Sequence, residues 1–407
     1  MADDYSKVKA TSAEARNRDE SGHQAPLYPL FLAFLRLGLT AFGGPAMVAY
    51  IRDLAVRKKH WLSPESFADG VALCQSIPGA TAMQTAAYVG LRVRGIAGAL
   101  ATFVGFGLPA FVLMVFLSSV YAASRNLPAA GATFRGLHVI VVALVANAVV
   151  TFGRSSIRIW RDAFLACGAA TFLIFRGNPI FAIVASAAVG ALLYRKTSLP
   201  IKPTQADSQP SAPLALRLVL LAVLAIGASL AGLYVVNRPL FDLALVMIKV
   251  DFFAFGGGFA SLPVMLHQVV DVRNWIDGKT FMDGIALGQV TPGPIVITAA
   301  FVGYQIAGLL GAVVGTLAIF SPSFLMVLIT VPYMDVLQRS LIFRRALRGV
   351  LASFVGLLLA VMVQFAIAAS WTGRSILLAL AAFLALRFKI DVLWVVLVGA
   401  AITILLR

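Results

Sequence analysis

Two cations in apolar surroundings recur at a fixed distance along the chain and could neutralise a dianion. Arg36 and Lys249 lie 213 residues apart, and each stands six residues before a helix-breaking segment. Those segments are Phe42-Gly43-Gly44-Pro45 and Phe255-Gly256-Gly257-Gly258. A charge inside an apolar segment costs ~2.5 kcal/mol or more in a bilayer and marks a candidate functional site. The alternative is that both side chains snorkel to the membrane interface.

A second pair of breaks carries glutamine, threonine and proline. Gln75 precedes Pro78-Gly79, and Gln289 precedes Thr291-Pro292-Gly293, at a shift of 214 residues. Glycine permits a sharp turn and proline at the first helical position loses no hydrogen bond, so each break is expected to start a half-helix. A helix start carries about half a positive charge and unpaired N–H donors, which attract anions. Gln75, Gln289 and Thr291 could also donate hydrogen bonds to the oxygens of a tetrahedral anion. The alternative is that these side chains satisfy backbone groups released by proline.

Two carboxylates also repeat. Asp69 and Asp283 are each followed by glycine and stand six residues before a glutamine. They are candidates for proton coupling. The alternative is an interfacial or capping role near the mouth of a hairpin.

Composition indicates that these residues belong to a membrane protein. Of 407 residues, 60% are hydrophobic and 12% are charged, with a mean hydropathy of +0.92. Soluble domains are about 45–50% apolar and about 25% charged. The apolar runs approach the ~20 residues of a membrane-spanning helix and lack barrel-like alternation, which predicts an all-α polytopic membrane protein. The charge of +16 is spread over short loops, so nucleic acid is not expected as a partner.

No motif for covalent chemistry is present in the sequence. It contains no Walker A motif, no zincin histidine pair and no Ser/His/Asp spacing. Cys74 and Cys167 both lie in apolar segments and predict neither a disulfide nor a metal cluster. An enzyme, a cofactor and a metal are therefore not expected. If the chain moves a solute across the membrane, the energy would come from a gradient or the membrane potential.

The chain divides into two homologous halves. The predicted segments are a cytoplasmic polar tail (1–26), a first repeat (27–194), a cytoplasmic linker (195–213), a connecting transmembrane helix (214–236) and a second repeat (237–407). The single connecting helix would invert the second repeat. Such helix breaks repeated in two halves of an apolar chain point to the binding site of a transporter.

Loop charges support this inversion, because Lys and Arg collect on the cytoplasmic side of short loops. In the first half the loops 52–60, 92–94 and 154–161 are basic and the turn around Arg125 carries a single charge. In the second half the pattern reverses, because the loop 271–279 is neutral and the turn at Gln305 is uncharged while 339–348 is strongly basic. The halves are therefore predicted to be inverted-topology repeats with broken, re-entrant helical hairpins whose tips meet. The hairpins are predicted at 27–51, 64–90, 240–270 and 280–303, with nine full crossings elsewhere.

The motifs resemble those of the chromate ion transporter (CHR) family in its long, two-domain form. The resemblance rests on the FGGP and SIPGATAMQTAAYVG sequences from Phe42 and Ser76, and on FGGG and TPGPIVITAAFVGY from Phe255 and Thr291. It covers nearly all of the chain from Leu27 onward. Gly258 departs from the pattern where the first half has Pro45, which suggests unequal roles for the two hairpins.

The resemblance implies export of chromate from the cytoplasm across the bacterial inner membrane, conferring chromate resistance. The family positions carried onto this chain are Phe42, Gly43, Gly44, Pro45, Gln75, Pro78 and Gly79 in the first copy, and Phe255, Gly256, Gly257, Gln289, Pro292 and Gly293 in the second. Spacing alone indicates only a carrier of a small anion, so a sulfate or other oxyanion permease and an anion channel remain alternatives. The expected partners are chromate, with sulfate as a similar anion, and the lipid bilayer around a chain whose N-terminus is cytoplasmic. A homodimer is left open. We further expect Gly44→Leu to impair transport more than Gly98→Leu, because only Gly44 lies at a predicted tip.

Overall fold

The computed structural model describes residues 25–42, 46–124, 128–195 and 212–405, and these form helices and no strands. Residues 1–24 of the predicted tail, the segment Gly43-Gly44-Pro45 and most of the linker lie outside the described residues. The all-α fold class is confirmed. The helices are α1 (Leu27–Thr40), α2 (Ala46–Arg52), α3 (Pro64–Ser76), α4 (Thr81–Ser124), α5 (Pro128–Ser156), α6 (Trp160–Ile174), α7 (Pro179–Leu193), α8 (Ala212–Val236), α9 (Arg238–Phe252), α10 (Ser261–Leu266), α11 (Gly278–Val290), α12 (Thr298–Thr330), α13 (Met334–Arg339), α14 (Leu341–Ala368), α15 (Gly373–Arg387) and α16 (Val392–Leu405).

The second hairpin of each repeat is made by a break and then a sharp kink. α4 loses helical geometry at Arg94 and Gly95, and α12 loses it at Ala307 and Gly308. The chain reverses direction at the first kink. This is shown by the hydrogen bond from Thr102 Oγ1, which follows the kink, to the carbonyl oxygen of Ala86, which precedes it, at 2.8 Å. The first arm of each long helix is therefore one side of a hairpin, and the second arm is a separate crossing.

Glycines allow the two arms of each kinked helix to touch. A Cβ built on Gly98 would lie 2.2 Å from the carbonyl oxygen of Gly90, and one on Gly311 would lie 2.0 Å from that of Gly303. Only a residue without a side chain permits this backbone approach. The two sites are related by the same 213-residue shift as the motifs, so the repeats share this packing.

The first hairpins are also alike in both repeats, although their half-helices begin differently. After the first break α2 runs into a π-helical turn, Asp53–Lys58, and after the third break α10 runs into the equivalent turn, His267–Val272. In the second repeat the chain leaves both breaks through short 3₁₀ turns, Gly258–Ala260 and Ile295–Ile297. The expected half-helix starts there are thus tighter than a regular α-helix.

Five of the described helices are long and apolar enough to cross a membrane. The corresponding spans are Thr81–Ser124, Thr133–Ser156, Val219–Val236, Ile295–Tyr333 (α12 with the 3₁₀ turns at its two ends) and Leu341–Ala368. The paired helices α6 and α7, and α15 and α16, have only 14 or 15 residues each. Because this is shorter than the ~20 residues of a full crossing, the count of nine crossings stays a prediction.

One long helix of each repeat packs against the pair of short helices at the end of the other repeat. α14 of the second repeat packs against α6 and α7 of the first, and α5 of the first repeat packs against α15 and α16 of the second. This reciprocal arrangement is what a two-fold relation between the halves produces. It brings the four chain breaks to the same region.

Candidate functional site

The breaks of one repeat are hydrogen-bonded to the breaks of the other. Gly79 N–H donates to the carbonyl oxygen of Ala254 at 2.9 Å, and Gly293 N–H donates to that of Ala41 at 3.1 Å. Gly79 and Gly293 are equivalent in the two repeats, as are Ala41 and Ala254. Each second-hairpin break therefore pairs with the first-hairpin break of the opposite repeat. We call these the first centre (Gly79 with Ala254) and the second centre (Gly293 with Ala41).

Glycine is required at the turns because the backbone there is left-handed. Gly79 has φ = 124° and Gly293 has φ = 129°, and Gly256 and Gly257 have φ values of 95° and 104°. Side chains other than glycine rarely adopt these angles. Pro78 also forms an isolated antiparallel bridge with Phe255. The glycines found by spacing thus form the close contacts between repeats.

A buried polar cluster lies at the first centre. Ser323 Oγ accepts a hydrogen bond from Ala80 N–H at 2.8 Å and donates to Asp251 Oδ2 at 2.6 Å. Gln84 Nε2 donates to the carbonyl oxygen of Pro78 at 2.6 Å. Asp251, Ser323 and Gln84 each have 0% exposure. The start of the half-helix after Pro78 is therefore covered by a hydroxyl that also holds a carboxylate.

The two sequence-predicted cations have different surroundings. Arg36 is exposed on α1, whereas Lys249 is half-buried on α9, five residues before Ala254. Exposure of Arg36 favours the snorkelling alternative for that residue. Neither side chain takes part in an ion pair among the parts of the chain that the structure describes. Their role as a pair stays a prediction.

The polar side chains beside the second-hairpin breaks are oriented mainly toward their own helices. Thr291 Oγ1 donates to the carbonyl oxygen of Gly288 at 2.8 Å, which favours the interpretation that this hydroxyl satisfies the backbone. Gln75 is exposed at the end of α3, and Gln289 is half-buried at the end of α11. Contact of either glutamine with an anion stays a prediction.

The comparison with known families follows the same two halves. Residues 28–191 and 241–404 match the sequence profile described as "Chromate transporter". The chain belongs to the chromate transporter family. The resemblance stated from the motifs is thereby confirmed, and the protein is a multi-pass membrane protein of a transporter family.

Similar proteins from archaea and bacteria match over most of the chain. It is 43% identical over 389 residues to an uncharacterized transporter of Methanocaldococcus jannaschii. The matched region covers 94% of this chain and 95% of that protein. It is 31% identical over 418 residues to a chromate transport protein of Pseudomonas aeruginosa, covering 97% and 95%. It is 30% identical over 326 residues to a probable chromate transport protein of Synechococcus elongatus, covering 78% and 80%. No solved structure matches the chain.

The two repeated carboxylates are not equivalent in the fold. Asp283 is 6% exposed; its Oδ1 lies 2.7 Å from His138 Nε2 and its Oδ2 accepts from Tyr121 Oη at 2.8 Å. Asp69, its counterpart in the first repeat, is half-buried on α3. Asp283 is thus enclosed by α4 and α5 rather than placed at an open hairpin mouth, and a proton-coupling role for either carboxylate stays a prediction.

Sequence reasoning did not assign a role at the site to Asp251 or Ser323. Asp251 interrupts an apolar run beside Lys249, and this charge was a usable signal. Ser323 follows Pro322 within α12 and gives no comparable signal, because transmembrane serines commonly bond to their own helix. Only the approach of α12 to the Pro78-Gly79 break reveals its contact with Ala80 N–H.

Proposed function

We propose that this protein exports chromate, a tetrahedral oxyanion, from the cytoplasm across the inner membrane and thereby confers chromate resistance. The observation that carries the proposal is the reciprocal hydrogen bonding of chain breaks from opposite repeats, Gly79 to Ala254 and Gly293 to Ala41. Family membership supports the substrate, since similar proteins bear the name chromate transport protein. The basic loops support a cytoplasmic N-terminus.

The breaks provide the chemistry that an oxyanion needs. The first N–H groups of a helix lack intrahelical partners and lie at its positive end. Thr81, the first residue of the half-helix after Pro78-Gly79, is half-buried, as are Phe42 on the first break and Phe255 and Gly256 on the third. We assign the anion to this junction, with Lys249 and Gln289 approaching from their helix ends.

The arrangement also suits alternating access. Each centre joins one hairpin from each repeat, so a rocking motion of one repeat against the other would separate or re-form both centres together. Export of a dianion gains energy from a membrane potential that is negative inside, by ~4.6 kcal/mol per 100 mV for two charges. No covalent step is needed for such transport.

Transport of chromate is tested in proteoliposomes of known sidedness, with and without an imposed potential. We expect chromate accumulation that increases with the potential and saturates with substrate, together with counterflow. Absence of chromate movement under both conditions, with monodisperse protein, would refute the proposal. Preference for sulfate in the same vesicles would instead support an oxyanion permease, and linear flux without counterflow would support a channel.

Lys249→Ala addresses the binding site. Because Lys249 is half-buried and lies five residues before Ala254 at the break, we expect at least a tenfold loss of chromate transport at unchanged abundance in the membrane. The matched control is Lys279→Ala, since Lys279 is exposed at the start of α11. Wild-type transport by Lys249→Ala would return this residue to the interfacial interpretation.

A further inference from the structure

The polar cluster of the first centre contains two buried acceptor atoms without a donor. In the described part of the molecule, Asp251 Oδ1 and Gln84 Oε1 have no hydrogen-bond partner. Gln84 and Ser323, the residue that holds Asp251, both approach Gly79: a Cβ built on Gly79 would lie 2.3 Å from Ser323 Oγ and 2.5 Å from Gln84 Nε2. Unsatisfied buried acceptors are costly, and both atoms require a donor or a cation rather than an anion.

The cluster has room for a proton but not for a ligand of substantial size. A methyl group on Gly79 would clash with Ser323 Oγ and Gln84 Nε2. Ser323 Oγ is hydrogen-bonded directly to both Asp251 and Ala80 N–H, so no space is left between them. No cluster of three metal-binding side chains occurs among the described residues. A proton on Asp251 would remove the charge and supply a donor.

No opposite charge compensates Asp251 within the described structure. Its helix α9 packs against α8, α10 and α12. The titratable side chains on α8 are Arg217, which is exposed, and Tyr234, which packs against Phe241 near the start of α9. The one on α12 is Tyr304, which lies before the kink, and α10 carries none. Lys249 is two residues away on α9 and so lies on a different face of the helix. Asp251 is thus not part of any ion pair found among these residues.

The second centre lacks the entire cluster. By the 213-residue shift, Asp251, Ser323 and Gln84 correspond to Gly38, Ala110 and Ile297. A carboxylate cannot be accommodated at Gly38, because a Cβ there would lie 2.5 Å from the carbonyl oxygen of Phe106. The two centres therefore share their backbone contacts and differ in their ability to hold a proton.

We propose that Asp251, with Ser323 and Gln84, forms a proton-binding site at the first centre that is coupled to anion binding. The inference rests on the proposed transport function and specifies its coupling. The ionised carboxylate lies beside the helix start at Ala80, where it repels a substrate anion and cancels the helix dipole. Protonation removes this repulsion. Proton and anion therefore bind with mutual preference, and by linkage each raises the affinity for the other.

The test is the pH dependence of chromate binding to purified protein, with concentrations expressed as the dianion. For the wild type we expect affinity to weaken by up to about tenfold per pH unit above the midpoint, as linkage to one proton requires. Asp251→Asn should bind chromate with affinity that does not change with pH. The matched control Asp242→Asn should keep the wild-type profile, because Asp242 lies on the same helix but pairs with Arg273 at 3.1 Å.

A second variant keeps the test decisive if Asp251→Asn does not remain monodisperse. Ser323→Ala retains the carboxylate and removes its hydrogen-bond donor, so the midpoint of the pH profile should shift from that of the wild type. An unshifted profile in this variant, or wild-type pH dependence in Asp251→Asn, would overturn the proposal. A midpoint that depends on sodium would also overturn it, in favour of a metal cation.

Failure of this inference is distinguishable from failure of the proposed function. If wild-type protein binds chromate with an affinity that does not vary with pH, only the proton site is refuted. If it binds neither chromate nor sulfate at any pH, the proposed function is refuted and the proton site with it.

Discussion

Replacing Arg348 by methionine tests how the two repeats are held together. The Arg348 guanidinium of α14 binds both carboxylate oxygens of Asp162 on α6, Nε to Oδ1 at 3.1 Å and Nη2 to Oδ2 at 3.0 Å. Tyr194 Oη donates to Oδ1 at 2.5 Å. The side chain of Asp162 is 0% exposed and that of Arg348 is 18% exposed. The pair therefore joins the first repeat to the second in a largely dry environment.

The expected cost follows from leaving a buried charge without its partner. Removal of one member of a buried ion pair typically destabilises by about 3–5 kcal/mol. An unfolding entropy of roughly 2.1 cal/mol/K per residue gives ~0.8 kcal/mol/K for a chain of this length, so the loss corresponds to a drop in Tm of about 4–6 °C. The double variant Asp162→Asn/Arg348→Met should recover at least about half of the loss, because it leaves no unpaired charge.

The assay is thermal unfolding of purified protein in one detergent at one scan rate, followed by loss of the monodisperse chromatographic peak. The symmetry-matched control is Arg135→Met, since Arg135 occupies the equivalent position in the first repeat and is exposed on α5. We expect its Tm to stay within about 1 °C of the wild type. An Arg348→Met protein as stable as this control would refute the reasoning that the ion pair holds the repeats together.

Two further substitutions test the packing and a polar network. Gly98→Leu should abolish accumulation of the protein in the membrane, because a Cβ at this position would lie 2.2 Å from the carbonyl oxygen of Gly90. Gly168→Leu should be tolerated, since no atom lies within 4 Å of a Cβ built there. Equal abundance of the two variants on immunoblots would contradict this prediction. His138→Leu should lower stability by about 1–3 kcal/mol because it removes the 2.7 Å partner of buried Asp283, and His138→Gln should restore part of that loss. Equal Tm values for the leucine and wild-type proteins would show that the bond contributes nothing.

The local features of the fold could be predicted from the sequence because neighbouring residues determine them. Ser63 caps α3 by accepting from Ser66 N–H at 3.1 Å, and Asp277 caps α11 by accepting from Thr280 N–H at 2.7 Å. Left-handed glycines at the Pro-Gly turns follow from the same local logic. Duplication and family membership were likewise readable, since both depend on the order of residues alone.

Expectations that depended on which helix face is covered were less secure. Gly44 lies outside the described residues, so the expectation that Gly44→Leu impairs transport more than Gly98→Leu stays a prediction. Gly98 touches the backbone of Gly90, a steric cost that the sequence alone did not show. Arg36 and Gln75 were grouped with their counterparts Lys249 and Gln289, but both first-repeat residues are exposed and both counterparts are half-buried. Equivalent sequence positions in two repeats do not have equivalent neighbours.

The repeated breaks and the helices that they interrupt follow from the order of residues alone, because helix propensity and capping act over a few residues. The pairing of each break with the opposite repeat depends on how the helices assemble, since Gly79 and Ala254 are far apart along the chain. The same approach of distant segments enclosed Asp251 with Gln84 and Ser323. Burial converts a charge in an apolar run into a candidate proton site, and burial is a property of the assembled helices.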